Sequence, residues 1–313
     1  MRRRALALVA AVVLAACGPD GRSGEGPAPP GTELVAQVAS YDLAADMDAR
    51  LMVGLLTTEN EFVSGGTVDM TISFLGETRA EGRPEVVHEV TGRFLPLPGS
   101  PEPKTDRPFL GPASEGQGVY EVEPIRFDRP GIYEAEVTAD LGGGDVRSGT
   151  AAFQVLPEPL VPAPGDRAPR TENLTVASDA PPVAVDSRAE TGGRIPDPDL
   201  HRTTIADAMA SGRPVLAVFA TPVYCVSRFC GPVTEMVEDL ADEHGGDAAF
   251  IHVEIWRDFQ EQVVNRAAAE WLLHDGNLNE PWVFAIDADG RIAARWDNVA
   301  DRSEIEAWLE RLA

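Results

Sequence analysis

Hydrophobic and polar positions alternate in short runs between Glu33 and Leu156. Val68, Met70, Ile72 and Phe74 alternate with Asp69, Thr71 and Ser73, the two-residue period of a half-buried strand. Runs of this kind predict strands over 34–39, 49–57, 67–75, 86–95, 118–127, 131–140 and 149–156. Ser64-Gly65-Gly66, Pro98-Gly99-Ser100, Pro130-Gly131 and Gly142-Gly143-Gly144 supply turns between them. That number of short strands predicts an all-β sandwich. Past residue 200 the period changes. Val233, Met236, Val237, Leu240 and Ala241 repeat at helical spacing over 232–244. Further helices are expected over 204–211, 260–273 and 302–312. Strands are expected over 214–220 and 249–255, with a hairpin of 282–287 and 291–296 turning at Asp289-Gly290. From 214 onward this order predicts a mixed sheet with helices on both faces.

The two halves are joined by a stretch rich in proline, from Pro157 to Pro198. It reads as a linker that also holds the start of the second domain. The chain begins with Arg2, Arg3 and Arg4, followed by the apolar run 5–16, too short to cross a bilayer as a helix. That is the layout of a secretory signal peptide. It ends in Leu14-Ala15-Ala16-Cys17-Gly18, which resembles a bacterial lipobox. The resemblance implies cleavage before Cys17, lipidation of Cys17, and a membrane anchor on the extracytoplasmic face. Residues 18–31 are rich in Gly and Pro and read as a flexible tether. The expected organisation is a signal peptide over 1–16, a tether over 17–32, a β-sandwich over 33–157, a Pro-rich linker with the start of the second domain over 158–199, and an α/β domain over 200–313.

Net charge is −25, and Lys104 is the only lysine. Removing the three leading arginines takes the charge from −25 to −28. Such acidity excludes a nucleic-acid partner, which needs a basic footprint. The chain has three cysteines, Cys17, Cys225 and Cys230. With Cys17 lipidated, the remaining two sit close together in a compartment where disulfides persist.

Two resemblances sharpen the fold class. Phe127-Asp128-Arg129-Pro130-Gly131-Ile132-Tyr133 resembles the corner of immunoglobulin-like domains, where a Tyr at the start of a late strand bonds back to the preceding turn. Phe229-Cys230-Gly231-Pro232, between a strand and a helix, is similar to the aromatic-Cys-Gly-Pro start of the thioredoxin active site. Glu280-Pro281-Trp282-Val283-Phe284 is similar to that family's cis-proline segment, and a hairpin and closing helix follow. The expected fold is thus a thioredoxin-like α/β C-terminal domain preceded by an all-β immunoglobulin-like sandwich. The resemblance implies thiol–disulfide exchange on exported proteins bearing thiols or disulfides. In it Cys230 attacks, Cys225 resolves and Pro281 shapes the substrate groove, with Trp282 placed to line it.

Val233 departs from the family pattern, which has a second Cys two residues after the glycine. Here the partner lies upstream, in Cys225-Val226-Ser227-Arg228-Phe229-Cys230. Cys230 at a helix N-terminus favours a thiolate, and Arg228 adds positive charge. Glu280 opposes thiolate formation if its carboxylate faces the sulfurs, or relays protons. Other readings of the pair stay open: a structural disulfide, two buried thiols, or a binding module without redox activity. Copper-delivery proteins of this fold pair two cysteines with a histidine, and His201, His244, His252 and His274 are spare. Their C-x3-C spacing differs from the C-x4-C here, and no metal or other cofactor is called for.

Overall fold

The computed structural model describes residues 33–312 except 79–82, 102, 104, 113–116, 190–192 and 228. The expected signal peptide, Cys17, the tether, Lys104 and Arg228 lie outside the described residues. Among the described residues no helix is long and apolar enough to cross a membrane.

The first half is built of β1 (Leu34–Val38), β2 (Asp48–Thr57), β3 (Phe62–Ser64), β4 (Thr67–Gly76), β5 (Glu85–Pro96), β6 (Phe109–Gly111), β7 (Gly118–Arg126), β8 (Gly131–Asp140) and β9 (Val146–Val155). They form one antiparallel sheet in the order β6-β3-β2-β7-β5-β4-β8-β9, with β1 pairing β2. This large sheet is compatible with a β-sandwich. β1 also links β2 to the far strand β9, because Glu33 just before it bridges Ser148 of β9. The approach depends on Gly149, where an added Cβ would lie 2.3 Å from Leu34 O. Alternate residues point inward, and Leu51, Val53, Met70, Ile72, Tyr120, Phe127, Tyr133 and Val137 share one core. At the corner, Tyr133 Oη donates to Arg129 O at 2.7 Å.

The second half contains α1 (Ile205–Ala210), β10 (Val215–Ala220), α2 (Cys230–His244), β11 (Ala249–Glu254), β12 (Trp256–Asp258), β13 (Val263–Val264), α3 (Arg266–Leu272), β14 (Trp282–Ile286), β15 (Ile292–Asp297) and α4 (Arg302–Glu310). Its sheet runs β11-β10-β14-β15. β10 lies parallel to β11 and antiparallel to β14, and β14 is antiparallel to β15. The sheet is mixed, as its pattern predicts. Side chains alternate between two cores. Val215, Ala217 and Phe219 meet α1 and α3 through Ile205, Ala268 and Trp271. Leu216, Val218 and Ala220 meet α2 and α4 through Val237, Leu240, Ile305 and Leu309. Helices therefore cover both faces.

Three differences from the sequence reading matter. The helix expected over 260–273 is only Arg266–Leu272, and the small β12–β13 hairpin stands before it. Asn265 fixes that boundary by donating to Ala184 O at 2.8 Å and Glu254 O at 3.0 Å. The Pro-rich stretch is fastened to the protein rather than free. Gly165 N and Ala168 N donate to Ile292 O and Gly290 O, and Val161, Ala163, Ala184 and Val185 are buried. Trp282 lines two surface clefts, one with Asp42 and Arg295 and one with Tyr41 and His274, and neither includes Cys225, Cys230 or Pro281 in its lining. It is 3% exposed, stacked on Phe284 and close to Tyr41, with the Arg295 guanidinium 5.4 Å from its ring.

Charges gather where the two halves touch. Buried Arg50 on β2 pairs with Glu121, with Glu123 at 3.1 Å and with Asp297 of β15 at 3.6 Å. Arg295 of β15 pairs with Asp42 at 2.8 Å, and Arg93 of β5 with Asp301 at 2.9 Å. A small apolar cluster of Met52, Leu95, Val119 and Val299 also reaches Phe229, the residue before Cys230.

Candidate functional site

The site lies at the end of β10. That strand is buried throughout, so the chain beyond Ala220 must turn out of the core, and Thr221-Pro222 begins a loop that ends at α2. Cys225 N donates to Thr221 O at 3.1 Å within it. Cys225 and Cys230 form a disulfide with Cα atoms 6.0 Å apart, inside the ordinary range for such a bond. The two sulfurs are unequal. Cys230 is fully buried among Leu216, Val218 and Val233, whereas Cys225 is half-buried and its Sγ lies 3.2 Å from Ser227 Oγ. Val226, between them in sequence, is 95% exposed. The half-buried sulfur is therefore Cys225, the reverse of the accessibility that attack by Cys230 requires.

Helix α2 starts at Cys230 with no side-chain cap. Its first peptide N–H groups have no partner within the helix, so they and the helix dipole would favour negative charge on a sulfur there after reduction.

Across the loop, the Glu280–Pro281 peptide is cis, and Pro281 leads directly into β14. A Glu280 carboxylate oxygen and both sulfurs lie within 4.8 Å of one another. Burial, with help from the nearby charge of Glu254, pushes the Glu280 carboxyl up to about 7. Its Oε2 is buried with no hydrogen-bond partner, as suits an acid that is neutral at moderate pH. The first half of the chain supports this corner: Tyr41 Oη lies 2.8 Å from Glu280 O and 2.9 Å from Asn298 Oδ1, and Tyr41 N donates to Asp297 at 2.6 Å.

Beneath the loop sits a polar network that the sequence did not disclose. Ser187 N donates to Glu254 Oε2 at 2.8 Å, and Ser187 Oγ accepts from Val223 N at 3.2 Å and from Thr221 Oγ1 at 3.4 Å. Glu254 is raised above the usual carboxylate range by burial, partly opposed by His252 and by these donors. Ser187 and Glu254 are far apart in sequence and belong to no motif, so no pattern marks them. The one available signal is the charged Glu254 at the end of a strand that is apolar apart from His252.

The histidines considered for copper are elsewhere. His201 and His252 lie with Asp186, His244 lies 3.3 Å from Asp247, and His274 pairs through its backbone with Asn277. The third ligand-type group beside the sulfurs is Glu280, a hard donor that suits copper(I) poorly.

No protein-family model matches the chain, and no curated protein matches it in sequence.

Proposed function

We propose that the chain is a lipid-anchored, extracytoplasmic thiol–disulfide oxidoreductase whose second half is thioredoxin-like, acting on exported proteins through Cys225 and Cys230. The observation that carries the reading is the disulfide at the start of α2, half-buried at Cys225 and flanked by the Glu280 carboxyl. The roles follow from burial. The reduced Cys225 thiolate attacks a substrate disulfide, forming a mixed disulfide and releasing one substrate thiolate. Glu280, neutral below about pH 7, gives that sulfur a proton. Cys230 then attacks the Cys225 sulfur and releases the second substrate thiolate. Two electrons pass to the substrate and the Cys225–Cys230 bond is restored. The reverse sequence oxidises a dithiol.

The competing reading is a structural disulfide, favoured by the complete burial of Cys230. Thiol trapping across a series of redox buffers separates the two. The exchange reading expects a midpoint within the oxidoreductase range of about −120 to −270 mV, and a Cys230→Ser variant that accumulates mixed disulfides through Cys225. A bond that resists reduction below about −300 mV, with no mixed disulfide in that variant, would leave a structural staple.

A further inference from the structure

Asp186, His201 and His252 come from three separate places: the Pro-rich stretch, the 3-10 turn Pro198–His201 and the middle of β11. All three are fully buried, and one donor atom from each lies within 4.8 Å of the others. We propose that they form a binding site for a zinc-type divalent cation, separate from the cysteine pair.

The spacing is the first reason. His201 Nε2 lies 3.3 Å, and His252 Nδ1 3.5 Å, from the same oxygen, Asp186 Oδ2. Good N–H···O bonds are about 2.9–3.0 Å, so both contacts are long for hydrogen bonds. They match the edges of a tetrahedron with metal–ligand bonds of about 2.0–2.1 Å, whose donors stand about 3.4 Å apart. A cation between the three atoms satisfies all of them at once, with a small ligand such as water completing four-coordination.

The His252 ring supplies the second reason, which His201 does not share because its Nδ1 is buried with no hydrogen-bond partner. His252 Nε2 is engaged by Ala220 O at 3.1 Å, which aims Nδ1 at Asp186. That Nδ1 is buried with no hydrogen-bond partner. A metal-bound imidazole normally has this arrangement, with its second nitrogen tied to a carbonyl or carboxylate.

Charge is the third. Arg188 holds Asp186 from outside, with Nη2 2.7 Å from Oδ2 and its backbone N 2.9 Å from Oδ1. The same Nη2 meets Glu238 at 2.6 Å and Asp197 at 3.3 Å. Three carboxylates thus surround one guanidinium, leaving negative charge for a divalent ion to offset. The two imidazoles with a carboxylate suit zinc or cobalt(II) better than copper(I). The site would fasten an irregular segment to the sheet directly below the Cys225 loop, because Ser187, next to Asp186, holds Thr221 and Val223.

The test is cobalt(II) titration of the full chain in detergent after chelator treatment. The expected result is one equivalent bound, with visible d–d bands of a tetrahedral site and no thiolate charge-transfer band. The spectrum should persist in the Cys225→Ser/Cys230→Ser double variant and disappear in His201→Gln and His252→Gln. Should those variants misfold, X-ray absorption on the wild-type cobalt protein decides, through imidazole scattering without sulfur neighbours. Failure to bind a stoichiometric ion, a sulfur ligand, or undiminished binding in folded His201→Gln and His252→Gln variants overturns the proposal.

Discussion

The two halves of this protein treat buried charge differently. The β half keeps its central core apolar and places Arg50 and Glu121 at its border with the other half. The α/β half buries Asp186, His201, His252 and Glu254 on and beside its edge strand β11, beneath the cysteine loop. Burying polar groups costs stability unless they are fully paired, so each half reveals where something besides packing is being served. In the first that purpose is docking; in the second, on the proposed reading, it is chemistry. The contrast breaks most visibly at Arg50. Arg50→Ala would leave Asp297 without the guanidinium and Glu121 with Arg93 alone. A loss of about 3–5 kcal/mol is expected, the usual cost of stranding buried partners of an ion pair. Denaturant melts measure it. A loss below about 1 kcal/mol, the level of an exposed pair, would show that the border contributes little and the halves are stable alone.

Glu280 sharpens the contrast on the α/β side. Its carboxyl is raised from an ordinary 4.5 to about 7, first by burial and then by Glu254. Between those values the folded protein holds a proton that the unfolded chain has released. Stability contributed by the neutral acid is therefore complete below about pH 4.5 and falls as pH rises toward 7. Glu280→Gln removes this dependence without changing shape. Thermal melts of the oxidised protein should show the variant gaining on wild type as pH passes from 4.5 to above 7. Parallel curves for the two proteins would mean that Glu280 ionises as it does in water. The same substitution should slow reduction of substrate disulfides most below pH 7, where wild-type Glu280 carries the proton it donates.

Local pattern was legible where one period governs one element. The alternation at Val68–Phe74 gave β4, and the helical repeat at Val233–Leu240 gave α2. The proximity of Cys225 and Cys230 was evident from spacing, and their bond agrees with it. What failed depends on contacts distant in sequence. The short strands β3 and β6 hold few residues to show a period. The bridge from Glu33 to Ser148 links β1, paired to β2, with the last strand β9. The Pro-rich stretch reads as a linker because proline hides no periodic face. It is fixed by backbone bonds to β15 and by Asp42, whose carboxylate accepts from Leu160 N at 3.0 Å. Attack by Cys230 was expected from the thioredoxin resemblance and the helix start, and only the packing of α2 shows which cysteine is covered. The Asp186–His201–His252 group follows no short spacing, so only the fold assembles it.

The smallest effect tests the β half by itself. Tyr133 is 1% exposed and packs edge-on to Phe74 and Phe127, while its hydroxyl reaches Arg129 O. Tyr133→Phe keeps the ring contacts and deletes one hydrogen bond across the turn Pro130-Gly131. Such a bond contributes about 0.5–1.5 kcal/mol net, and the low end is expected because Arg129, beside an exposed turn, can give its carbonyl to water instead. The change should shift unfolding of the β half and leave the redox midpoint of Cys225–Cys230 where it was. A moved midpoint would mean that the corner communicates with the loop, through the border at Arg50 or through Met52 and Phe229. The division between a docking half and a chemical half would then fail, since a hydrogen bond at an exposed corner of the first would be tuning a sulfur in the second.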